Sequence, residues 1–422
     1  MRVLILNQFF YPDHSATSQL MTDLAESLVE RGVEVTALAG RSRYNGGAPL
    51  PPHASYRGIQ IERAWATSFG KGSAAGRLSD YLSFYVGAAW MLARLPRHDV
   101  VMALTTPPLI GLVALVVGRA RGMRSVALVE DVYPDIAVAL GALGPRNPLT
   151  RALDYLGRLI LRRSERIVVL GDCMRERILA KLGESAAGRI DVIRNWADRA
   201  QFEQSRDREN PFIAEHDLKD RFVVLFSGNL GRVNEFETVL EAARILHDSR
   251  EILFLFVGEG ARCAEIKSFG ERHGLENLRL LPYQPREAVP HSLAAGHALL
   301  VTLAEGLAGL SVPSKAYAIL AAGRPILYVG DRRSDVARMV EEEGCGAVVA
   351  AGASEQLARI ITDWANDRAK LQELGQRARL LFEKRFCRER AVTAYLKTLE
   401  GSLGASRRDQ LAATAGLKEK AP

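Results

Sequence analysis

The chain has 422 residues, of which 48% are hydrophobic and 25% are charged. That length predicts two or three domains, and that balance excludes a disordered, a collagen-like or a disulfide-scaffold protein. The formal net charge is +7, and the whole excess lies in residues 1–200, which hold 25 Lys or Arg against 18 Asp or Glu. We therefore expect the first half to meet an anionic partner: phosphate groups, nucleic acid or a membrane surface.

Short apolar runs alternate with helical patterns through most of the chain. In the first half the predicted strands are 3–7, 34–38, 59–63, 100–104, 126–129, 167–170 and 191–194. In the second half they are 222–227, 252–257, 278–281, 298–302, 326–329 and 346–349. Several are apolar on both faces, which is typical of parallel strands covered by helices. The alternation predicts an α/β fold with two doubly wound, Rossmann-like domains facing a cleft.

The polar segment QSRDRENPFIAEHDLKD separates the two series. It predicts domain 1–203, a linker at 204–220, domain 221–400 and a flexible tail at 401–422. The four cysteines are far apart and form no CxxC pair, which fits a reducing compartment and argues against a zinc knuckle. The first residues are typical of a strand and not of a signal peptide, and no apolar run reaches the ~18–20 residues that span a bilayer. We expect a cytoplasmic protein.

Three glycine-containing motifs follow predicted strands of the second half. They are FSGNLG at 226–231, FVGEG at 256–260 and EGLAGLSVPSK at 305–315. Each of the first two is equally typical of a tight turn that binds nothing. In the third, we expect Ser314 to cap a helix whose first turn carries Lys315, an arrangement suited to a diphosphate.

Together with LRLLPYQP at 278–285, these motifs resemble the donor-binding domain of retaining family 4 glycosyltransferases of the GT-B architecture. The resemblance is greatest to the capsule, colanic-acid and O-antigen transferases that carry a VPSK segment. Segments 4–39, 129–135 (VEDVYPD) and 193–198 (IRNWAD) are similar to the acceptor domain of that family.

The resemblance implies a hexosyl or N-acetylhexosaminyl transfer with retention of configuration, without a metal ion or other cofactor. It implies a nucleotide-sugar donor, most simply UDP-linked, and a polyprenyl-diphosphate-linked sugar as acceptor at the cytoplasmic face of the inner membrane. The donor-binding positions that it indicates are Gly228, Asn229, Arg232, Gly258, Glu259, Tyr283, Gly306, Leu307, Ala308, Gly309, Ser314 and Lys315.

The chain departs from the family pattern at three of its positions. Asn229 and Asn234 stand where many members have an Arg and a Lys for the diphosphate, so Arg232 and Lys315 are the candidates for that charge. Ala318 stands where the second Glu of the E-x7-E motif is expected, so that motif is broken, and Glu305 is only a candidate for its first member.

Candidate catalytic side chains lie in both halves. Asp131 and Glu130 follow the strand at 126–129, where a carboxylate can orient or deprotonate an acceptor hydroxyl; alternatively, Asp131 caps the following turn. Glu305 is the candidate in the second half. His14, after the first strand, contacts donor or acceptor, or is simply solvated.

Residues 76–97 combine helical spacing, aromatic side chains and a basic end, which predicts either a core helix or a helix lying in a membrane interface. Two other functions remain open: a nucleotide-sugar 2-epimerase of the same architecture, and a non-catalytic partner subunit. Nucleic acid is not an expected partner, because the basic residues are scattered and form no known motif.

Overall fold

A computed structural model describes residues 1–44, 46–70, 74–203 and 210–404. The chain divides into two compact units, Met1–Arg194 together with the chain from Ala391 onward, and Asn195–Arg390.

The first unit is an eight-stranded sheet covered by helices. Its elements are β1 Arg2–Leu6, α1 Ala16–Glu30, β2 Glu34–Gly40, β3 His53–Tyr56, β4 Ile59–Ala64, α2 Ala74–Arg94, β5 Val100–Ala103, α3 Gly111–Val113, β6 Arg124–Val129, α4 Asp135–Ala139, α5 Pro148–Arg163, β7 Arg166–Val169, α6 Asp172–Leu182 and β8 Ile190–Val192. The strand order is β3-β4-β2-β1-β5-β6-β7-β8, parallel except for the β3–β4 pair. Because β1, β5 and β6 are neighbours, the loops after them meet at one edge of the sheet.

The second unit is a six-stranded, wholly parallel sheet. Its elements are α7 Arg199–Glu203, α8 Pro211–Glu215, β9 Phe222–Ser227, α9 Glu237–Ile245, β10 Ile252–Val257, α10 Cys263–His273, β11 Leu278–Leu281, α11 Val289–Ala295, β12 Ala298–Leu303, α12 Lys315–Ala321, β13 Ile326–Gly330, α13 Asp335–Glu343, β14 Gly346–Val349, α14 Ser354–Asn366 and α15 Arg368–Leu381. The order is β11-β10-β9-β12-β13-β14. The loops after β10, β9 and β12 therefore share an edge. A last helix, α16 Arg388–Ser402, begins in this unit and continues into the first one.

The predicted fold class is confirmed, and every predicted strand is present within a few residues of its expected bounds. β3 was missed because its sequence, HASY, lacks an apolar run, and as an edge strand it is half exposed.

The domain boundaries differ from the expected ones. Residues 210–220 of the expected linker contain α8. Phe212 of this helix is buried, and the side chain of Asn210 donates a hydrogen bond to the carbonyl of His291 at 2.8 Å. This part is therefore packed into the second unit in spite of its polar composition. The chain from Ala391 belongs to the first unit and not to the second, because Tyr395 and Leu399 of α16 are buried there. Residues 405–422 of the expected tail, and 204–209 of the expected linker, lie outside the described residues.

Candidate functional site

The turns after β9 and β10 approach each other backbone to backbone. A Cβ on Gly258, whose φ is +144°, would lie 2.0 Å from the carbonyl oxygen of Gly228. A Cβ on Gly260 would lie 2.4 Å from the carbonyl oxygen of Leu230, and the amide of Leu230 donates to the carbonyl of Glu259 at 2.8 Å. Gly258 and Gly260 of the FVGEG motif are therefore required for packing of one turn on the other.

Lys315 reaches this same pair of turns from α12. Its Nζ is buried, lies 3.2 Å from the ring centroid of Phe226, and has no hydrogen-bond partner among the described residues. Gly228 of the turn after β9 is a neighbour, since a Cβ there would lie 3.5 Å from Nζ. Burial lowers the pKa of Lys315 well below its ordinary value. A buried amine of this kind gains its proton when an anion comes within hydrogen-bond distance, because the pair offsets the desolvation of each ion.

The expected cap at Ser314 is wrong. Ser314 occupies the N-cap position of α12, but its hydroxyl makes no capping hydrogen bond. The reason is its backbone, with φ −64° and ψ −23°, which is already helical, whereas a capping side chain needs an extended residue. The helix itself is only seven residues long.

Asn234 braces the turn after β9. The side chain is buried, its amide donates to the carbonyls of Asn229 and Gly231, both at 3.1 Å, and its oxygen accepts from Thr302 at 3.2 Å. Arg262, which sequence reasoning missed, donates to the carbonyl of Asn234 at 2.8 Å. Asn234 is thus fully used inside the protein and does not replace a diphosphate-binding lysine.

The other candidate donor-binding side chains differ in exposure. Asn229, Arg232, Glu259, Tyr283, Glu305 and Gly306 are exposed, Ala308 is half-buried, and Leu307 and Gly309 are buried. The loop after β12 is joined to the turn after β9 by the amide of Ala304, which donates to the carbonyl of Val233 at 2.8 Å. The structure therefore brings the three motifs to one edge of the second sheet, as expected from the parallel strand order.

Glu130 is the unusual carboxyl group of the first unit. It directly follows β6; the hydroxyl of Thr17 donates to its Oε2 at 3.3 Å, whereas Oε1 is buried with no partner among the described residues. The hydroxyl oxygen of Thr105 accepts from the amides of Glu130 and Asp131, at 3.1 and 3.3 Å. Burial, followed by the charge of Asp131, raises the pKa of Glu130 to about 7, and the Thr17 hydrogen bond opposes the rise.

The charge of Asp131 acts on two tyrosines. The pKa of Tyr44 and of Tyr133 is raised by burial and then by charges that include Asp131, and Arg77 of α2 acts in the opposite direction on Tyr133. Asp131 therefore lies in an aromatic, partly buried setting that includes the start of α2.

His14 lies in the loop between β1 and α1. Asp13 ties this loop down by accepting from the amides of Ser15 at 2.8 Å and Tyr44 at 2.6 Å, but the His14 side chain is exposed. The structure thus places His14 at the same edge as Glu130 and leaves its role as a prediction.

α2 carries both a core face and an exposed apolar face. Phe84, Ala88 and Leu92 are buried, whereas Leu78, Leu82, Val86 and Trp90 are between 53% and 71% exposed and recur every fourth residue. The guanidinium of Arg94 lies 3.1 Å from the ring centroid of Trp90. The buried face is that of a core helix, and the exposed apolar face is the one that the membrane-interface interpretation requires.

Within the described residues, no three His, Cys, Asp or Glu side chains cluster as metal ligands do. No helix in the described ranges is long and apolar enough to cross a bilayer.

The two units with their sequence motifs define the class of the protein, and comparisons with known proteins agree. A "Glycosyl transferase 4-like domain" model matches residues 17–196, and a "Glycosyl transferases group 1" model matches residues 207–381. The crystal structure of HepE from Anabaena in complex with UDP and glucose superposes with a TM-score of 0.72 at 15% identity, covering 94% of this chain and 99% of that one. The fold is therefore that of the GT-B glycosyltransferases.

Curated relatives are more similar in sequence. The probable glycosyltransferase WbjE of Pseudomonas aeruginosa is 30% identical over 286 residues, 68% of this chain and 71% of WbjE. The putative colanic acid biosynthesis glycosyl transferase WcaI of Escherichia coli is 27% identical over 230 residues, 53% of this chain and 55% of WcaI. The chain belongs to the glycosyltransferase family that combines a 4-like domain with a group 1 domain, and it is a glycosyltransferase.

The pKa of Glu130 makes a prediction about stability. The folded state holds a proton between pH 4.5 and about 7 that the unfolded chain has lost, so this group lowers the free energy of unfolding as pH rises through that range. Glu130→Gln removes the charge. The free energy of unfolding of the variant, relative to the parent, should therefore rise from pH 5 to pH 8 by on the order of 2–3 kcal/mol in urea titrations.

Glu30→Gln on the same unit is the matched control, because Glu30 is exposed at the end of α1. A pH-independent difference for Glu130→Gln would show that the carboxyl group is not desolvated.

Proposed function

We propose that the protein transfers a sugar from a nucleoside-diphosphate sugar, with UDP as the nucleotide, to a polyprenyl-diphosphate-linked sugar in bacterial surface-polysaccharide synthesis. The observation that carries the proposal is the buried Nζ of Lys315, which no carboxylate among the described residues balances, at the turns after β9 and β10. The UDP in HepE supports the nucleotide, and the name of WcaI supports the pathway.

The turns after β9 and β10 and the loop after β12, which we call the donor loops, supply the positive charge that stabilises a departing diphosphate. The bond between the anomeric carbon and the diphosphate oxygen breaks, its electron pair leaves with the diphosphate, and negative charge grows there. Lys315, protonated by the arrival of the anion, stabilises that charge, and the exposed Arg232 adds a second cation from the turn after β9. No metal ion is required in this scheme.

In the first unit, Glu130 binds and orients the hydroxyl group of the acceptor. The acceptor oxygen forms the new bond on the face from which the diphosphate leaves, so the configuration is retained, and the leaving phosphate takes the proton. Thr17 holds Glu130 by a hydrogen bond, and the aromatic surroundings of Asp131 offer apolar faces to a sugar ring. Glu130 acts in its ionised form, which the raised pKa makes sensitive to pH near neutrality.

Replacing Lys315 tests the donor site. Lys315→Met keeps the apolar stem over Phe226 and removes the amine, so UDP should bind about 10- to 100-fold more weakly, as measured by calorimetry. Lys267→Met is the control, because Lys267 is an exposed lysine of α10 paired with Glu271. UDP binding of parental strength in Lys315→Met would overturn the assignment.

Replacing Glu130 tests the acceptor site. We expect kcat/KM of the parent, with a lipid-linked acceptor, to rise with pH through about 7, following ionisation of Glu130. In Glu130→Gln the rate should fall by about 10²-fold or more, and the rise of kcat/KM with pH should disappear while UDP affinity is unchanged.

Release of nucleotide by the parent protein without an acceptor would instead indicate a nucleotide-sugar epimerase.

The exposed face of α2 supports a membrane location for the acceptor site. It combines Trp90 and three aliphatic side chains with the exposed arginines 77 and 94 of the same helix. The exposed Arg97 follows α2, and the first 200 residues carry the positive excess of the chain. Aromatic and basic side chains on one face of a helix are typical of binding to an anionic bilayer interface. We therefore propose that α2 docks the protein on the cytoplasmic face of the inner membrane.

Vesicle flotation measures this docking. Vesicles rich in phosphatidylglycerol should carry the parent protein, and Val86→Glu combined with Trp90→Glu should remove most of that binding without loss of folded structure, since both side chains already face solvent. Leu149→Glu, at another exposed apolar position of the first unit, should float like the parent. Equal flotation of all three proteins would exclude α2 as the docking surface.

A further inference from the structure

The second unit contains a cavity at the sheet edge opposite to the donor loops. It has a volume of about 640 Å³, and its walls come from the residues just before β12 and β13 and from α15. The polar side chains that line it are His297, Arg324, Arg368, Gln372, Gln376, Arg379 and Glu383. Because His297 and Arg324 precede their strands whereas Lys315 follows β12, the sheet separates this cavity from the donor loops.

The charges of the cavity are not balanced by the described residues. Arg379 pairs with Glu383, with Nε 2.7 Å from the carboxylate, lies 4.0 Å from the carboxylate of Glu203, and donates to the carbonyl of Ala321 at 2.6 Å. Glu383 is the only acidic residue among the described lining residues. Arg324 and Arg368 have no carboxylate partner in the described part of the chain, so about two positive charges remain.

Arg324 is the more informative of the two arginines. One guanidinium nitrogen donates to the carbonyl of Ala294 in the last turn of α11, and burial lowers the pKa of Arg324. Capping of α11 accounts for this one hydrogen bond. A guanidinium has five N–H donors, and a largely desolvated one is costly unless an anion pairs with it.

The pKa of His297 is affected by the charges of the same two arginines. Its Nδ1 accepts from the amide of Val223 at 3.0 Å, and burial together with the charges of Arg324 and Arg368 lowers its pKa to about 4. His297 is therefore neutral at physiological pH, and both arginines act on it at close range. The cavity consequently combines two cations from different elements, an uncharged imidazole and two glutamine side chains able to donate hydrogen bonds.

We infer that this cavity is a second binding site of the protein, which takes a small anion carrying at least two negative charges on phosphate groups. Arginine pairs with phosphate through two parallel hydrogen bonds, and two arginines from separate elements fit the two ends of such an anion. The inference stands on the second unit alone and does not depend on the identity of the sugar donor or acceptor.

Titration with inorganic pyrophosphate tests the site. The full-length protein is first saturated with UDP, so that the donor loops are occupied, and pyrophosphate binding is then followed by calorimetry and by thermal shift. The parent should bind pyrophosphate, and Arg368→Gln should bind it about tenfold or more weakly, because it loses a charge-assisted pair. Arg368 is exposed at the start of α15, so this variant keeps the fold.

Arg333→Gln is the matched control, since Arg333 is an exposed arginine paired with Asp331 after β13 and does not line the cavity. Arg324→Gln should lose pyrophosphate binding as well. A parallel flotation with phosphatidylglycerol vesicles distinguishes a lipid phosphate from a free one: loss of flotation in Arg368→Gln assigns the site to a headgroup. If Arg368→Gln equals the parent in both measurements, the cavity is not an anion site.

Discussion

The approach of the turn after β10 to the turn after β9 is the constraint on which the donor site depends. Gly258 and Gly260 leave room for the carbonyls of Gly228 and Leu230, and no side chain fits in that space. This contact places the turn after β9 beside α12, so that Phe226 and Gly228 form the surroundings of the Lys315 amine. Asn234 and Arg262 then hold the same turn by hydrogen bonds, which leave the Asn234 side chain engaged inside the protein.

The two units use burial in opposite ways. In the first unit, desolvation favours the neutral form of an acid, Glu130, and raises its pKa; in the second, it favours the neutral form of a base, Lys315, and lowers its pKa. Each group is then sensitive to a ligand of complementary charge or hydrogen bonding. A desolvated group next to the reacting atoms interacts more strongly with them than the same group does in water.

Burial also acts on a basic group at another edge of the second sheet, in the cavity lined by Arg324 and Arg368, where it lowers the pKa of Arg324. The proposed donor loops follow β9, β10 and β12, whereas the cavity precedes β12 and β13, so the two proposed anion sites lie at opposite edges of one sheet. The first unit adds a third surface, the apolar face of α2, which is supported from below by Phe84, Ala88 and Leu92 in the core.

The sequence by itself determined the class of fold, the described strands other than β3, and the position of the three glycine motifs, because apolar periodicity and turn residues are local properties. It did not determine that Ser314 fails to cap α12, that α8 is packed into the second unit or that α16 returns to the first, since these depend on contacts between segments far apart in the chain. Most clearly, the sequence alone does not show how the basic side chains of Lys315, Arg324 and Arg333 differ in burial. Only the tertiary structure decided which of them lies over a ring, which lines a cavity and which stays exposed while paired with a carboxylate, because desolvation is set by everything packed around a group.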